Sequence, residues 1–319
     1  MTETATLYGP VAADIPAVGE RLRAIAVGHH PLLGETLAHV FRTSGKQLRP
    51  ALVMLSGKLG TYHRDRLVTL AASLEVVHTA TLVHDDTIDQ ALSRRGLSTV
   101  NAVWDGKVAI LIGDFLFAQS AFLAALLDSV PVMRLLSETV MAMSSGELQQ
   151  YASSRQGMID EADYLERIAG KTASLFAMCC AGAGIVSEQG PDAVEALRRY
   201  GTNLGLAFQI ADDVLDFTGD EAVLGKPAGG DLRQGTATLP LILYARSQSG
   251  NGLDLSSVRE SGDLDLLVAE VRASSAPARA LERAHEYAEA ARAALAVFDP
   301  SEAKDALVHL TQHVVERQR

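Results

Sequence analysis

The sequence is short of cysteine, of aromatic rings and of positive charge, and the shortages narrow what it can be. Its 319 residues include two cysteines, Cys179 and Cys180. Adjacent residues on a helix point in different directions, which argues against a mutual disulfide or a two-ligand metal clip. Both are expected in the core, where free cysteine usually lies. Aromatic residues make up only 5%, yet 48% of residues are hydrophobic, enough to bury a large core in one big domain or two ordinary ones. Lys and Arg number 28 against 39 Asp and Glu, for a net charge of −11, so nucleic acid is excluded as a general partner and only local basic pockets remain. The first residues lack a basic region followed by an apolar run, so no signal peptide is expected and the location is expected to be cytoplasmic. One window, "VAILIGDFLFAQSAFLAALL" at 108 to 127, has the length of a bilayer span. Asp114 and Gln119 interrupt it and no basic flank orients it, so it reads as a buried central helix and not as a transmembrane segment.

Also missing is the β-branched alternation of strands, whereas apolar residues recur at helical spacing almost throughout. The fold class is therefore all-α. Helices are expected over Ile15 to Gly28, Leu32 to Thr43, Pro50 to Leu59, Arg64 to Gln90, Lys107 to Ser129, Val132 to Ser154, Asp160 to Ser187, Asp192 to Phe217, Leu239 to Gln248, Asp263 to Ala273, Pro277 to Phe298 and Ser301 to Arg317. Stops such as "SGK" (44 to 46), "RRG" (94 to 96), "SEQGPD" (187 to 192) and "SQSGNG" (247 to 252) carry the Gly, Asn and Pro that end helices. None is long enough to be a linker, so 1–319 reads as a single domain with residues 1–14 as a flexible N-terminal segment. The polar stretch 219 to 235, "GDEAVLGKPAGGDLRQG", is the longest interior segment poor in helix signals and has the composition of a functional loop.

Two short segments stand out, "HDDTIDQ" from His84 and "ADDVLDF" from Ala211. Residues four apart share a helix face, so Asp85 and Asp89 project together with Asp86 near one edge, and Asp212, Asp213 and Asp216 repeat the arrangement. Like charges at that spacing cost a few tenths of a kcal/mol per pair, and two such helices brought face to face call for a cation. Carboxylates without His or Cys suit a hard ion such as Mg²⁺, which keeps waters and is usually completed by substrate phosphates, so a phosphorylated ligand is expected. Lys46 and Arg49, Arg94 and Arg95, Lys171 and Lys226 cluster around the motif-bearing segments. Arg recognises phosphate as a planar fork and Lys as a mobile point charge, so the mixed set suggests two diphosphate sites. His63, His84, Trp104 and Met143 read as packing or surface residues.

The sequence resembles the trans-isoprenyl diphosphate synthases, the polyprenyl synthetase family. The resemblance rests on "GKQLRP" (45 to 50), "EVVHTATLVHDDTID" (75 to 89), "RRG" (94 to 96), "AGKTASLF" (169 to 176), "FQIADDVLDFTGD" (208 to 220), "GKPAGGDL" (225 to 232) and "TLP" (238 to 240), which occur in family order. It implies a bundle of long helices around a deep cavity, and elongation of an allylic diphosphate by head-to-tail condensation with isopentenyl diphosphate. It implies that Asp85, Asp89 and Asp212 ligate Mg²⁺, three ions per active site when substrate is bound, with Asp86, Asp213 and Asp216 in support. Arg94, Lys171, Thr172, Gln209 and Lys226 would grip the allylic diphosphate, and Lys46, Arg49, His78 and Arg95 the isopentenyl diphosphate. Thr236 stands where many relatives carry lysine, which predicts weaker allylic binding.

The chemistry suits these residue types: departure of an allylic diphosphate needs preorganised positive charge and no nucleophilic side chain. A class I terpene cyclase would need a different second metal motif and would lack "GKQLRP", and a non-catalytic subunit would be expected to have lost catalytic aspartates. The resemblance implies that product length is set along the helix that ends in the first cluster, where one turn of about 5.4 Å spans roughly one isoprene unit. Ala80, Thr81, Val77 and Leu74 line the turns before Asp85 with no Phe or Tyr among them, so the path is open and a long chain is expected. Phe117, Phe122 or Leu123 would then form the floor. The apolar 107 to 129 helix predicts a homodimer, since relatives pair through an equivalent helix, and release of a long product suggests peripheral contact with a membrane.

Overall fold

The computed structural model describes residues 8–42, 47–94, 96–156, 160–219, 228–248 and 263–316. The helices are α1 (Ile15–Ile25), α2 (Pro31–Val40), α3 (Leu48–Gly57), α4 (Arg64–Ile88), α5 (Val100–Val103), α6 (Gly106–Ala125), α7 (Val130–Gln156), α8 (Glu161–Ile168), α9 (Ser174–Val186), α10 (Pro191–Thr218), α11 (Gly230–Arg233), α12 (Leu239–Ser247), α13 (Leu264–Ala273), α14 (Ala276–Ala294) and α15 (Glu302–Glu316). All-α is thus the observed class. Among the described residues the only strands are a two-residue antiparallel pair, β1 (Ser93–Arg94) and β2 (Leu97–Ser98). They turn "RRG", expected as a plain helix stop, into a hairpin with Gly96 at φ +78°. That left-handed conformation is one that glycine adopts without strain.

Helix starts follow local chemistry. Asp105 caps α6 by accepting the Val108 N–H at 2.8 Å, and Asp160 caps α8 by accepting that of Asp163 at 2.9 Å. Proline occupies the first turn of α1, α2, α12 and α14, where its missing N–H costs nothing. The single helix expected from Asp160 to Ser187 is instead α8 and α9 joined by a π-helical turn, Ala169–Ala173. One residue inserted into a turn leaves the apolar pattern on either side intact, so periodicity does not reveal it.

Two compact units make up the chain: Met1–Glu138 with Met178–Leu197 and Phe298–Leu307, and Thr139–Ala177 with Arg198–Val297 and Val308–Arg319. In the first, α4 packs along α6, α3 and α1. Leu67, Leu70, Leu74 and Val76 of α4 are fully buried, as are Cys179 and Cys180, both free thiols. In the second, α14 packs against α12 and α13 through an alanine stripe, Ala280, Ala284, Ala288 and Ala291. Of the N-terminal segment, residues 8–14 pack onto the first unit. Tyr8 and Val11 are buried, and Asp14 accepts hydrogen bonds from the Tyr62 hydroxyl and Arg64 Nε, each at 2.6 Å.

By length and composition, three helical segments could cross a membrane: Arg64–Ile88, Gly106–Ala125 and Glu161–Val186. The first and third have 67% of their apolar window buried within the chain, whereas α6 has 39%. On α6 and its C-cap, Ile110, Leu111, Phe122 and Leu126 remain exposed, so the helix expected to be buried and central is only partly covered within the single chain.

Candidate active site

In the first unit, Asp85, Asp86 and Asp89 close the last turn of α4, with the Asp89 N–H bonded to the Asp85 carbonyl at 2.8 Å. Carboxylates there face the negative end of the helix dipole, an arrangement that costs about 0.3–1 kcal/mol per charge unless a cation answers it. Arg94 answers one, donating from Nε to Asp86 Oδ1 at 2.8 Å. It is brought there by the hairpin, which is tied down by Thr99 Oγ1 and Asn101 Nδ2 donating to the Ala91 carbonyl at 2.6 and 3.0 Å. Asp86 is buried, and burial lifts its pKa above the ordinary value against the pull of Arg94. Asp85 is half-buried and Asp89 exposed. Arg49 in the first turn of α3 and His78 two turns before Asp85 are half-buried in the same unit, while Lys46 and Arg95 lie outside the described residues.

The second unit repeats the pattern with different partners. Asp212, Asp213 and Asp216 occupy the last two turns of α10. Asp213 is buried with both oxygens engaged, Oδ1 by Gln209 Nε2 and Oδ2 by the Tyr164 hydroxyl, each at 2.7 Å. Burial pushes its pKa well up, helped by the charges of Asp231 and Asp212. The carboxylate is thus held as an inward anchor, in keeping with the supporting place expected for it beside Asp212. Asp212 is exposed, and Asp216 Oδ2 accepts the Asp231 N–H at 3.1 Å. In both clusters the second aspartate is turned into the protein and the first is more accessible.

Gln209 links the cluster to the π-turn, accepting from Thr172 Oγ1 at 2.7 Å. The π-turn lies hard against α7. A Cβ on Gly146 would sit 2.7 Å from the Lys171 backbone nitrogen, and one on Gly170 2.8 Å from the Ala142 carbonyl oxygen. From that crossing Lys171 reaches Glu147, with which it forms an ion pair, and donates to Gln150 Oε1 at 3.4 Å. Lys226 lies outside the described residues. Thr236 is half-buried and its N–H bonds to the Asp231 carbonyl at 2.8 Å. Nearby, the buried Arg167 donates to the Ala237 carbonyl at 2.7 Å and lies 5.4 Å from the centre of the Tyr164 ring.

Sequence reasoning missed Tyr164, Arg167, Glu147, Gln150 and Asp231. Only Asp231 lay within a quoted motif, and nothing in local spacing separates the others from ordinary helix polar residues. Among the described residues no three His, Cys, Asp or Glu side chains gather so as to hold a metal by themselves. The donors are carboxylates, which suit a hard cation, but the set fits Mg²⁺ only where a ligand supplies further oxygens.

Of the residues expected to govern length, Leu74, Val77 and Ala80 are buried, and Thr81 is half-buried with its hydroxyl bonded to the His78 carbonyl at 2.8 Å. Leu123 is buried and Phe117 half-buried, its ring 5.7 Å from that of His84. Phe122 is 59% exposed, so it forms no floor within this chain. His84 is a packing residue as expected, bonded to the Ile110 carbonyl at 3.1 Å, and Trp104 packs edge-on against His39.

The family model described as Polyprenyl synthetase matches residues 30–263. The chain belongs to the polyprenyl synthetase family. A prenyl transferase of Synechocystis sp. is 38% identical over 99% of both chains. An all-trans-nonaprenyl-diphosphate synthase of Rhodobacter capsulatus, described as geranyl-diphosphate specific, is 36% identical over 98% of this chain and 97% of its own. A polyprenyl synthase from Caulobacter crescentus, solved in complex with calcium and isoprenyl diphosphate, superposes with a TM-score of 0.91 at 33% identity, covering 99% of this chain and 98% of that one. The match to the polyprenyl synthetase model spans both acidic clusters and the π-turn.

Proposed function

We propose that the protein is a long-chain all-trans polyprenyl diphosphate synthase, which condenses an allylic diphosphate head to tail with isopentenyl diphosphate and releases diphosphate. The observation that carries this reading is the acidic cluster that closes a long helix in each unit, its second aspartate ion-paired or anchored inside the protein. Asp85, Asp89 and Asp212 would hold Mg²⁺ together with oxygens of the substrate, with Asp86, Asp213 and Asp216 in support. Bound Mg²⁺ supplies Lewis-acid stabilisation of the departing diphosphate.

The chain's own residues do the rest. Arg94, Lys171, Thr172, Gln209 and Lys226 orient the allylic diphosphate and spread its growing charge over fixed donors, which is where a preorganised site gains most. Lys46, Arg49, His78 and Arg95 hold isopentenyl diphosphate. The carbocation meets the isopentenyl double bond away from water, and the released diphosphate takes the final proton. The growing tail runs down α4 past Ala80, Val77 and Leu74, whose small or aliphatic side chains admit it. The exposed apolar face of α6 is covered by a second copy, giving a homodimer in the cytoplasm.

The test removes the metal positions. Asp85→Ala and Asp212→Ala should each lower turnover about a thousandfold or more, and EDTA should abolish it. Near-normal turnover in either variant, measured as incorporation of labelled isopentenyl diphosphate, overturns the mechanism.

A further inference from the structure

Lys171 meets a carboxylate where the proposed reading would have it meet a diphosphate. Its ammonium pairs with Glu147 and reaches Gln150 Oε1 at 3.4 Å, both on α7. The pair is not a loose surface encounter. The Gly146–Gly170 crossing presses the π-turn backbone onto α7 with no room for a side chain at either glycine. Glu147 follows Gly146 directly and Lys171 follows Gly170 directly, so the crossing that forces the close approach also sets the two charges opposite each other. Both side chains are about one-third exposed, so an anion arriving from solvent can compete for the ammonium.

We propose that Glu147 is the resident counter-ion of Lys171 and a positioning residue for the allylic diphosphate: it holds the ammonium until a diphosphate displaces it, and so weakens the enzyme's grip on substrate and on released diphosphate. The inference rests on the assignment of Lys171 to the allylic diphosphate. The sign follows from charge. A fixed carboxylate beside the ammonium offsets its attraction for any second anion, and removing that carboxylate while keeping its shape leaves the ammonium to the incoming phosphate. Anchorage alone would act the other way, because losing an anchor loosens Lys171 and weakens binding.

The experiment measures binding of inorganic diphosphate in the presence of Mg²⁺ by calorimetry, and the KM of an allylic primer, for the wild type and four variants. Glu147→Gln should tighten inorganic diphosphate roughly three- to tenfold and lower the primer KM in the same direction. Glu147→Asp keeps the charge and should bind close to the wild type. Lys171→Ala should weaken binding, and adding Glu147→Gln to it should restore at most a small part of the gain. If Lys171→Ala weakens binding while Glu147→Gln weakens it too or leaves it unchanged, the counter-ion role is wrong and the proposed function stands. If Lys171→Ala leaves binding unchanged, the assignment of Lys171 to the diphosphate fails, and this inference with it.

Discussion

At the residue scale, the two acidic clusters are unequal within themselves. Asp213 is held by Tyr164 and Gln209 at 2.7 Å each, whereas Asp212, its neighbour, is exposed. Tyr164 is itself fully buried, and burial together with the Asp213 charge pushes its pKa well up, so its hydroxyl stays a donor at neutral pH. Tyr164→Phe should therefore orphan a buried acceptor and lower stability by about 1–3 kcal/mol, read by urea denaturation; a loss below about 0.5 kcal/mol would show that Gln209 suffices. The aspartate spacing was legible because a helix places residues four apart on one face. Which aspartate turns inward was not legible, since Tyr164 lies 49 positions from Asp213 and the fold alone brings it there. Lys171 was legible as one of the clustered basic residues, Thr172 only through the family motif "AGKTASLF", and Glu147 not at all.

At the scale of elements, the long helices were read closely. Arg64 to Gln90 was expected and Arg64–Ile88 is observed; Asp192 to Phe217 was expected and Pro191–Thr218 is observed. Apolar periodicity over 25 and 28 residues leaves little ambiguity. Short features escaped, namely the hairpin at 93–98, α5, α11 and the π-turn, because each spans too few residues to show a period. The π-turn is the most consequential, as it carries Lys171 and Thr172. Gly170→Ala would place a methyl 2.8 Å from the Ala142 carbonyl, a backbone atom that no rotamer change can move aside. The variant should lose about 1–3 kcal/mol and raise the primer KM as the π-turn shifts. Gly190→Ala, which meets nothing within 4 Å, is the matched control and should change neither. Equal behaviour of the two variants in thermal melts and primer kinetics would remove the crossing from the account.

At the scale of the whole molecule, acidity, low aromatic content and the scarcity of cysteine narrowed the class, and the ordered motifs identified the family. The apolar 107 to 129 helix, from which a homodimer was expected, leaves Ile110, Leu111, Phe122 and Leu126 exposed on the single chain. Such a face is the surface that the proposed dimer would cover. Light scattering of the purified protein should give about twice the 33.9 kDa chain mass at micromolar concentration, and a monomer there refutes the dimer. Product length is the claim on which the functional reading turns, because it joins the metal chemistry proposed at Asp85 to the turns below it, where Ala80, Val77 and Leu74 are buried and none is aromatic. The most direct measurement is a chromatogram of the products made by wild-type protein from an allylic primer, excess isopentenyl diphosphate and Mg²⁺, beside those of Ala80→Phe. The account predicts hexaprenyl to decaprenyl diphosphate from the wild type, and farnesyl or geranylgeranyl diphosphate from the variant, whose ring blocks a packed path. Wild-type protein that stops at farnesyl or geranylgeranyl diphosphate, or a variant whose product is as long as the wild type's, would contradict it.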